Sequence, residues 1–283
     1  MPYKIIEKKD LSPQIFLMKV AAPAVAHRAE PGQFIILRTD EYGERVPFTI
    51  ADFDREEGTV TIIVQVVGKT TMDMQKLKSG DSILDFAGPL GMPTPLDNIK
   101  KAAVIGGGLG TAITYPQAKK LKSLGTEVTM IAGFKNKESI ILSYELAEVS
   151  DKLIITTDDG SNGLKGFVTD RLKEELENGE TFDEVIAVGP LMMMKAVCDL
   201  TKPYNIHTTV SMNPVMIDGT GMCGGCRVIV DGKPKFACVD GPDFDGHKID
   251  WDIALKRQNA LKTQERRACE EGKCRIGRSN VNG

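Results

Sequence analysis

Three cysteines and one aspartate packed into residues 218–238 are the side chains of this 283-residue sequence best suited to chemistry. The stretch reads D-G-T-G-M-C-G-G-C-R-V-I-V-D-G-K-P-K-F-A-C, with Cys223, Cys226 and Cys238 as thiols and Asp218 five positions ahead of the first. A cysteine at 218 would complete C-x4-C-x2-C…C, the plant-type [2Fe–2S] spacing. The expectation is therefore a one-electron cluster held by Asp218, Cys223, Cys226 and Cys238, with one oxygen ligand. Such a cluster needs four ligands around two irons and backbone N–H groups near its sulfides. Gly219, Gly221, Gly224 and Gly225 let a loop wrap that tightly. Zinc, held tetrahedrally by three thiolates and a carboxylate, suits the same residue types and would make the segment a structural knuckle.

The elements around this loop must bring Cys238 back to it. Arg227–Val230 and Lys235–Phe236 read as a hairpin about Asp231-Gly232, a favoured two-residue turn. Cys198, by contrast, lies in a helical stretch and is expected to be a buried thiol. Cys269 and Cys274 lack further ligands nearby and are expected to be free thiols.

Residues 99–207 alternate strand and helix, which predicts a parallel sheet with helices on both faces. Strands are expected at 101–105, 127–132, 153–157 and 184–188, and helices at 112–124, 143–148, 168–177 and 192–200. The first strand ends in Gly106-Gly107-Gly108-Leu109-Gly110-Thr111, directly before a helix. Glycines there let backbone approach a pyrophosphate, and the helix start offers free N–H groups and its positive dipole end. Thr157-Asp158-Asp159-Gly160 follows another strand, at the edge of the sheet where ligands bind. Gly189-Pro190 precedes the helix that carries Met192, Met193 and Met194, at least one of which is expected in the core. After strand 127–132 comes G-F-K-N-K, with no acid for a ribose 2′-hydroxyl and two lysines able to meet a 2′-phosphate. Local residues thus leave NAD and NADP open.

The first hundred residues show no long helical periodicity. Short strands at 3–7, 15–20, 34–38, 46–51, 59–67 and 82–86, separated by Pro, Gly and Asp, predict a small antiparallel barrel. Pro31-Gly32-Gln33-Phe34 is a tight turn feeding a strand. Arg45, Pro47, Phe48 and Thr49 fall within five residues, and the strand carrying Val64, Gln65 and Val66 runs into a loop with Gly68, Thr70 and Thr71. An isoalloxazine needs an apolar wall and polar contacts at its edge, and a diphosphate needs N–H donors, hydroxyls and a cation. These two sets can supply them; each string is also compatible with ordinary surface structure.

In this order the strings resemble the ferredoxin–NADP reductase superfamily, with its R-x-P-[YF]-[ST] flavin motif, the barrel-end turn G-P-L-G at 88–91 and the G-P-x-x-M string at 189–193. The resemblance implies an FAD-binding antiparallel barrel over 1–98, an NAD(H)-binding α/β domain over 99–207, a [2Fe–2S] segment over 208–250, and a helix and tail over 251–283. With the cluster loop added, the chain resembles the electron-transfer subunit of dihydroorotate dehydrogenase, from which Asp218 departs. The strings M-I-D-G-T-G-M-C-G-G-C-R-V and F-A-C-V-D-G-P-D-F-D-G-H more closely resemble the small subunit of NADH-dependent ferredoxin:NADP oxidoreductase, also described as sulfide dehydrogenase, whose cluster has one Asp and three Cys ligands. This implies FAD, NAD(H) and a [2Fe–2S] cluster as cofactors. It also implies a larger flavin and [4Fe–4S] partner subunit through which ferredoxin and NADP(H) react. A flavin upstream favours iron–sulfur over zinc, because a one-electron acceptor beside a hydride acceptor is useful.

Composition is consistent with these expectations. The net charge of −3 argues against nucleic-acid binding by bulk electrostatics. The longest apolar runs are too short to span a bilayer. The N-terminus shows no apolar leader, so a cytoplasmic location is expected. Residues 251–283 carry eight Lys or Arg against four Asp or Glu, a candidate docking surface for a partner or simply a solvated helix.

Overall fold

Period-two burial organises the N-terminal strands. In the computed structural model, which describes residues 2–260, β1 (Tyr3–Ser12) and β2 (Ile15–Ala21) pair antiparallel. Phe16, Met18 and Val20 of β2 are fully buried, while Leu17 and Lys19 between them face away from this core, Leu17 packing against the neighbouring one. A short α1 (Pro23–Ala26) precedes β3 (Phe34–Arg38), β4 (Val46–Thr49), β5 (Asp52–Asp54) and β6 (Thr59–Gln65). Helix α2 (Lys69–Lys76), β7 (Ser82–Ile83) and β8 (Asp85–Leu90) complete this part. The strands form two antiparallel sheets, β5-β6-β2-β1-β7 and β4-β3-β8, around a shared core of Ile5, Phe16, Ile35, Leu37, Ile62 and Phe86. This is the expected barrel-like arrangement, but with eight strands where six are expected, the predicted strand 82–86 being broken into β7 and β8, and with residues 69–76 helical where a loop at 68–71 is expected. Thr71 Oγ1 accepts from the amides of Val67 and Gly68, which caps a helix that periodicity does not reveal.

The second part runs β9 (Lys101–Gly107), α3 (Gly110–Ser123), β10 (Glu127–Phe134), α4 (Ser143–Glu148), β11 (Lys152–Thr157), α5 (Val168–Glu177), β12 (Glu184–Val188), α6 (Leu191–Thr201) and β13 (His207–Ser211). Strand order is β11-β10-β9-β12-β13, all parallel. Alternate residues of β9 serve opposite faces. Ala103 and Ile105 pack with Leu172 and Met194 of α5 and α6, and Ala102 and Val104 with Ala118 and Leu146 of α3 and α4. Each fully buried Val or Ile contributes roughly 1.5–3 kcal/mol. A surface pair such as Lys173–Glu177 adds at most about 1 kcal/mol. Apolar burial on both faces therefore decides this layer.

The C-terminal part holds β14 (Arg227–Val230), β15 (Lys233–Phe236), α7 (Ala237–Asp240), β16 (Asp243–Asp245) and α8 (Trp251–Asn259). The hairpin β14–β15 turns at Asp231 and Gly232, both with positive φ as the two-residue turn demands. β16 pairs antiparallel with β13, so the large sheet is mixed rather than wholly parallel and its edge strand comes from the cluster-bearing segment. Cys269, Cys274 and most of the basic tail lie outside the described residues.

Candidate functional site

A cleft of about 1120 Å³ opens where the barrel meets the carboxyl ends of the parallel strands. The strand-to-helix turn after β9 supplies its floor through Gly107, Gly108 and Gly110. A side chain at Gly110 would put its Cβ 2.1 Å from the carbonyl oxygen of Val188, so only glycine lets this helix start pack so close to β12. Gly106 and Thr111 do not line the cleft. Thr111 is buried, and its hydroxyl has no partner among the described residues.

On the barrel side, Pro47 and Thr49 of β4 and Gln65 of β6 reach the cleft, joined by Phe34 of β3. The register that pairs Phe34 with Thr49 holds the two side by side. Phe48 and Val66 pack against the barrel core, and Val64 is fully buried within it. Arg45 is exposed and outside the cleft lining. Gly68, Thr70 and Thr71 stand at the start of α2, also outside that lining, with the Thr71 hydroxyl engaged in the cap.

At the far end, β10 and β11 pair with Phe134 opposite Thr157. One residue further on, Asp158 therefore stands beside Lys135, and its amide donates to the Phe134 carbonyl at 3.0 Å. Both line the cleft together with Asn136 and Ser139. Asp159 differs from its neighbour. Its carboxylate accepts from Ser161 N (2.9 Å) and Ser161 Oγ (2.6 Å), and these bonds hold it below the usual carboxylate range. It is consumed in building the turn, and neither it nor Gly160 lines the cleft. Asp158 makes no ion pair among the described residues and is exposed. An acid, absent from the tip of β10, thus stands just past the end of the adjacent strand.

Gly189, Pro190 and Met192 form the opposite wall with Met193, whereas Met194 is fully buried in the core. The remaining wall escapes motif reading: Ser211 at the end of β13 and Met212, Asn213, Pro214 and Met216 after it line the cleft. Only the sudden change of pattern after Thr208 signals them. Two residues beyond Met216 the cysteine loop begins.

That loop brings its four predicted ligands together as two pairs. Cys223 Sγ donates to Asp218 Oδ1 at 3.3 Å, and the sulfurs of Cys226 and Cys238 lie 3.2 Å apart. Asp218 Oδ2 also accepts from the amides of Met222 (3.0 Å) and Cys223 (3.1 Å). Partial desolvation opposes ionisation of Asp218, but bonds from Thr220 and Cys223 outweigh it and keep its carboxyl below the usual range. Cys226 and Cys238 are buried and Cys223 is exposed. Burial, then the adjacent Cys226 thiol, push Cys238 up to about 11. Gly219 seats the loop. Its φ is +74°, and a Cβ there would lie 2.2 Å from Ile36 Cδ1 of the barrel. Two pairs suit a centre with two metal ions, and the Gly225 amide pointing at Cys223 Sγ (3.4 Å) supplies the N–H environment such sulfur needs. Among the described residues, no three His, Cys, Asp or Glu side chains gather as one metal-holding group, so the two pairs stand apart from each other. Cys198 is separate, buried on α6, and its thiol is pushed up to about 12 by burial.

Two family models match the chain: the iron–sulfur cluster binding domain of dihydroorotate dehydrogenase B over residues 213–250, and the oxidoreductase NAD-binding domain over residues 104–199. A Thermotoga maritima protein named as a homologue of the dihydroorotate dehydrogenase B (NAD(+)) electron transfer subunit is 45% identical, over 93% of each chain. The electron transfer subunit of Fusobacterium nucleatum is 33% identical, over 84% of this chain and 93% of its own. Among solved structures, a chain of the NADH-dependent reduced ferredoxin–NADP oxidoreductase, studied for flavin-based electron bifurcation, is 44% identical with a TM-score of 0.89. That match covers 96% of this chain and 98% of the other. Phthalate dioxygenase reductase, at 16% identity and TM-score 0.60 over 81% of this chain and 86% of its own, shares the fold.

Proposed function

The chain belongs to the family of dihydroorotate dehydrogenase B electron-transfer subunits and their homologues, and on that premise we propose that it is the iron–sulfur flavoprotein subunit of an electron-bifurcating NADH-dependent ferredoxin:NADP oxidoreductase. One observation carries this reading: the segment that walls the cleft, Ser211 to Met216, runs within two residues into the cluster loop. A two-electron site and a one-electron site are thereby joined by a single short stretch of backbone.

FAD exchanges a hydride with NAD(H) and a [2Fe–2S] cluster relays single electrons, chemistry that belongs to those groups when bound. The protein's part is to hold and orient them. Pro47, Thr49 and Gln65 border the flavin, with Arg45 and the start of α2 at Gly68, Thr70 and Thr71 serving its diphosphate end. Gly107, Gly108 and Gly110 receive the pyrophosphate of the nucleotide at the positive end of α3. Gly189, Pro190 and Met192 close over the nicotinamide and keep water out. Asp158 accepts from the 2′-hydroxyl of the adenosine ribose and repels a 2′-phosphate, which favours NAD(H) over NADP(H) despite Lys135. Asp218, Cys223, Cys226 and Cys238 hold the cluster. A carboxylate is a harder ligand than a thiolate, so Asp218 shifts the charge distribution of the centre.

The units proposed are a flavin barrel over 1–98, a nucleotide domain over 99–207, a cluster segment over 208–250 and a docking helix with tail over 251–283. The partner is a larger subunit that carries a second flavin and [4Fe–4S] clusters, and ferredoxin and NADP(H) react there. Among the described residues no helix is long and apolar enough to cross a membrane, and a cytoplasmic location fits this reading. Isolation of the native complex tests it. A partner that consumes NADPH and reduces ferredoxin when NAD is present supports the reading; a dihydroorotate-oxidising partner contradicts it.

A further inference from the structure

Asp243 sits on β16, opposite Ser211 of β13, at the seam where barrel, nucleotide domain and cluster segment meet. The residue keeps some surface through its other atoms, but carboxyl oxygen Oδ1 is out of solvent and has no hydrogen-bond partner. Oδ2 lies 2.5 Å from Thr94 Oγ1 and accepts from Gln117 Nε2 at 3.2 Å. Thr94 belongs to the segment between barrel and nucleotide domain, and Gln117 to α3. Thr94 Oγ1 is also 3.3 Å from the carbonyl of Pro31, which opens the tight turn Pro31-Gly32 of the barrel. That turn presses on the same point. A Cβ at Gly32 would lie 2.2 Å from Thr94 Oγ1 and 2.9 Å from Asp243 Oδ2. Four segments therefore converge on one carboxyl group.

We propose that Asp243 is held as a neutral carboxylic acid whose proton is donated to Thr94, latching the cluster-bearing segment to the barrel and to helix α3. No cation pairs with it among the described residues. The groups that face it are Thr94, Gln117 and Ser211, none of them titratable, and Glu30 on the adjoining turn is committed to Arg55. An ionised carboxylate here would bury a charge with no counter-charge and share it onto an oxygen that has no donor, which is far costlier than leaving the neutral C=O of an acid unpartnered. Protonation also relieves the shortage of protons between Asp243 Oδ2 and Thr94. The acid gives its proton to Thr94, and the single hydroxyl proton of Thr94 is then free for the Pro31 carbonyl. Burial raises this carboxyl above the usual range, only partly offset by the neighbouring polar groups of Thr94, Ser211 and Gln117. Asp243 is thus a positioning residue. It acts through Pro242, Ser211 and Met212, which wall the cleft, and it is independent of which nucleotide or partner the protein uses.

The sign of the pH effect follows from linkage. The folded protein keeps a proton that the unfolded chain releases, so stability falls as pH rises from the unfolded value toward the folded one. Asparagine presents a neutral donor and acceptor of the same shape and has no such dependence. The test uses the full chain with its cofactors, as wild type, Asp243→Asn and Asp243→Ala. The Tm of Asp243→Asn relative to wild type rises as pH is raised between about 5 and 8, and Asp243→Ala loses roughly 2–4 °C or more at every pH. Infrared spectroscopy then finds, in wild type only, a protonated carboxylic C=O stretch that shifts in deuterated water. A Tm difference between Asp243→Asn and wild type that is flat with pH, or absence of that band in wild type, overturns the proposal.

Discussion

The sulfur of Cys226 lies 3.2 Å from that of Cys238, twelve positions later and on the far side of a hairpin. The hairpin achieves this by turning at Asp231-Gly232 and closing with the Ala237 amide donating to the Cys226 carbonyl at 3.1 Å. Replacing either cysteine by serine is expected to remove nearly all cluster absorption while leaving the flavin bands. Cys198→Ser, on a separate helix, retains both. Iron and sulfide analysis with a visible spectrum checks each variant.

Asp218 is paired with Cys223 as Cys226 is with Cys238. Asp218→Cys is expected to keep a cluster with a changed EPR spectrum and potential, because a thiolate replaces a harder oxygen donor. An EPR spectrum identical to wild type means that Asp218 does not touch iron.

Exposure separates the thiols before the cluster is built. In metal-free protein at neutral pH, iodoacetamide is expected to label exposed Cys223 well ahead of buried Cys238, whose thiol is pushed up to about 11 and so holds little thiolate. Peptide mass spectrometry after timed quenching reads the order. Equal labelling of the two contradicts the loop geometry.

Strand register places Asp158 beside Lys135. Asp158→Asn is expected to raise NADPH use relative to NADH by about tenfold or more, equivalent to about 1.4 kcal/mol, with Lys135 then free to meet the 2′-phosphate. Adding Lys135→Ala cancels most of the gain. Flavin reduction by each nucleotide, with the chain free of any partner holding its own NADP(H) site, gives the ratio. A ratio unmoved by Asp158→Asn removes that residue from nucleotide choice.

His207 joins the last parallel strand to the cluster segment. Its ring Nδ1 donates to the Glu184 carboxylate at 2.6 Å, and its Nε2 lies 3.8 Å from Asp245. The Glu184 bond, against some desolvation, raises its pKa. The stabilisation is complete below the unfolded value and is lost as pH rises through the folded one. The ring is about half exposed, so His207→Gln is expected to cost no more than about 1 kcal/mol at low pH and less above it. Chemical denaturation at several pH values checks the trend.

Sequence periodicity reveals some elements fully. Phe34–Arg38, Ser143–Glu148, Val168–Glu177 and Glu184–Val188 are found where apolar spacing predicts them, because burial on one or both faces dictates that spacing. Helix α2 is invisible to the same reading. Its sequence K-T-T-M-D-M-Q-K has no apolar stripe, and the Thr71 cap holds it instead. β16 is three residues long and gains its identity only from β13. The cluster ligands are legible because spacing along one loop encodes them. Asp158 beside Lys135 and the node at Asp243 are not, since each depends on register between segments far apart in the chain.

Electrons from NADH are expected to enter at the cleft and leave through the loop at Asp218, Cys223, Cys226 and Cys238. Anaerobic mixing of the flavin- and cluster-loaded chain with NADH, frozen at intervals for EPR, tests this route directly. The expected result is bleaching of the flavin bands and the signal of a reduced [2Fe–2S] cluster, absent from Cys238→Ser. A colourless, zinc-loaded protein, or a bleached flavin beside a cluster that stays oxidised, contradicts it.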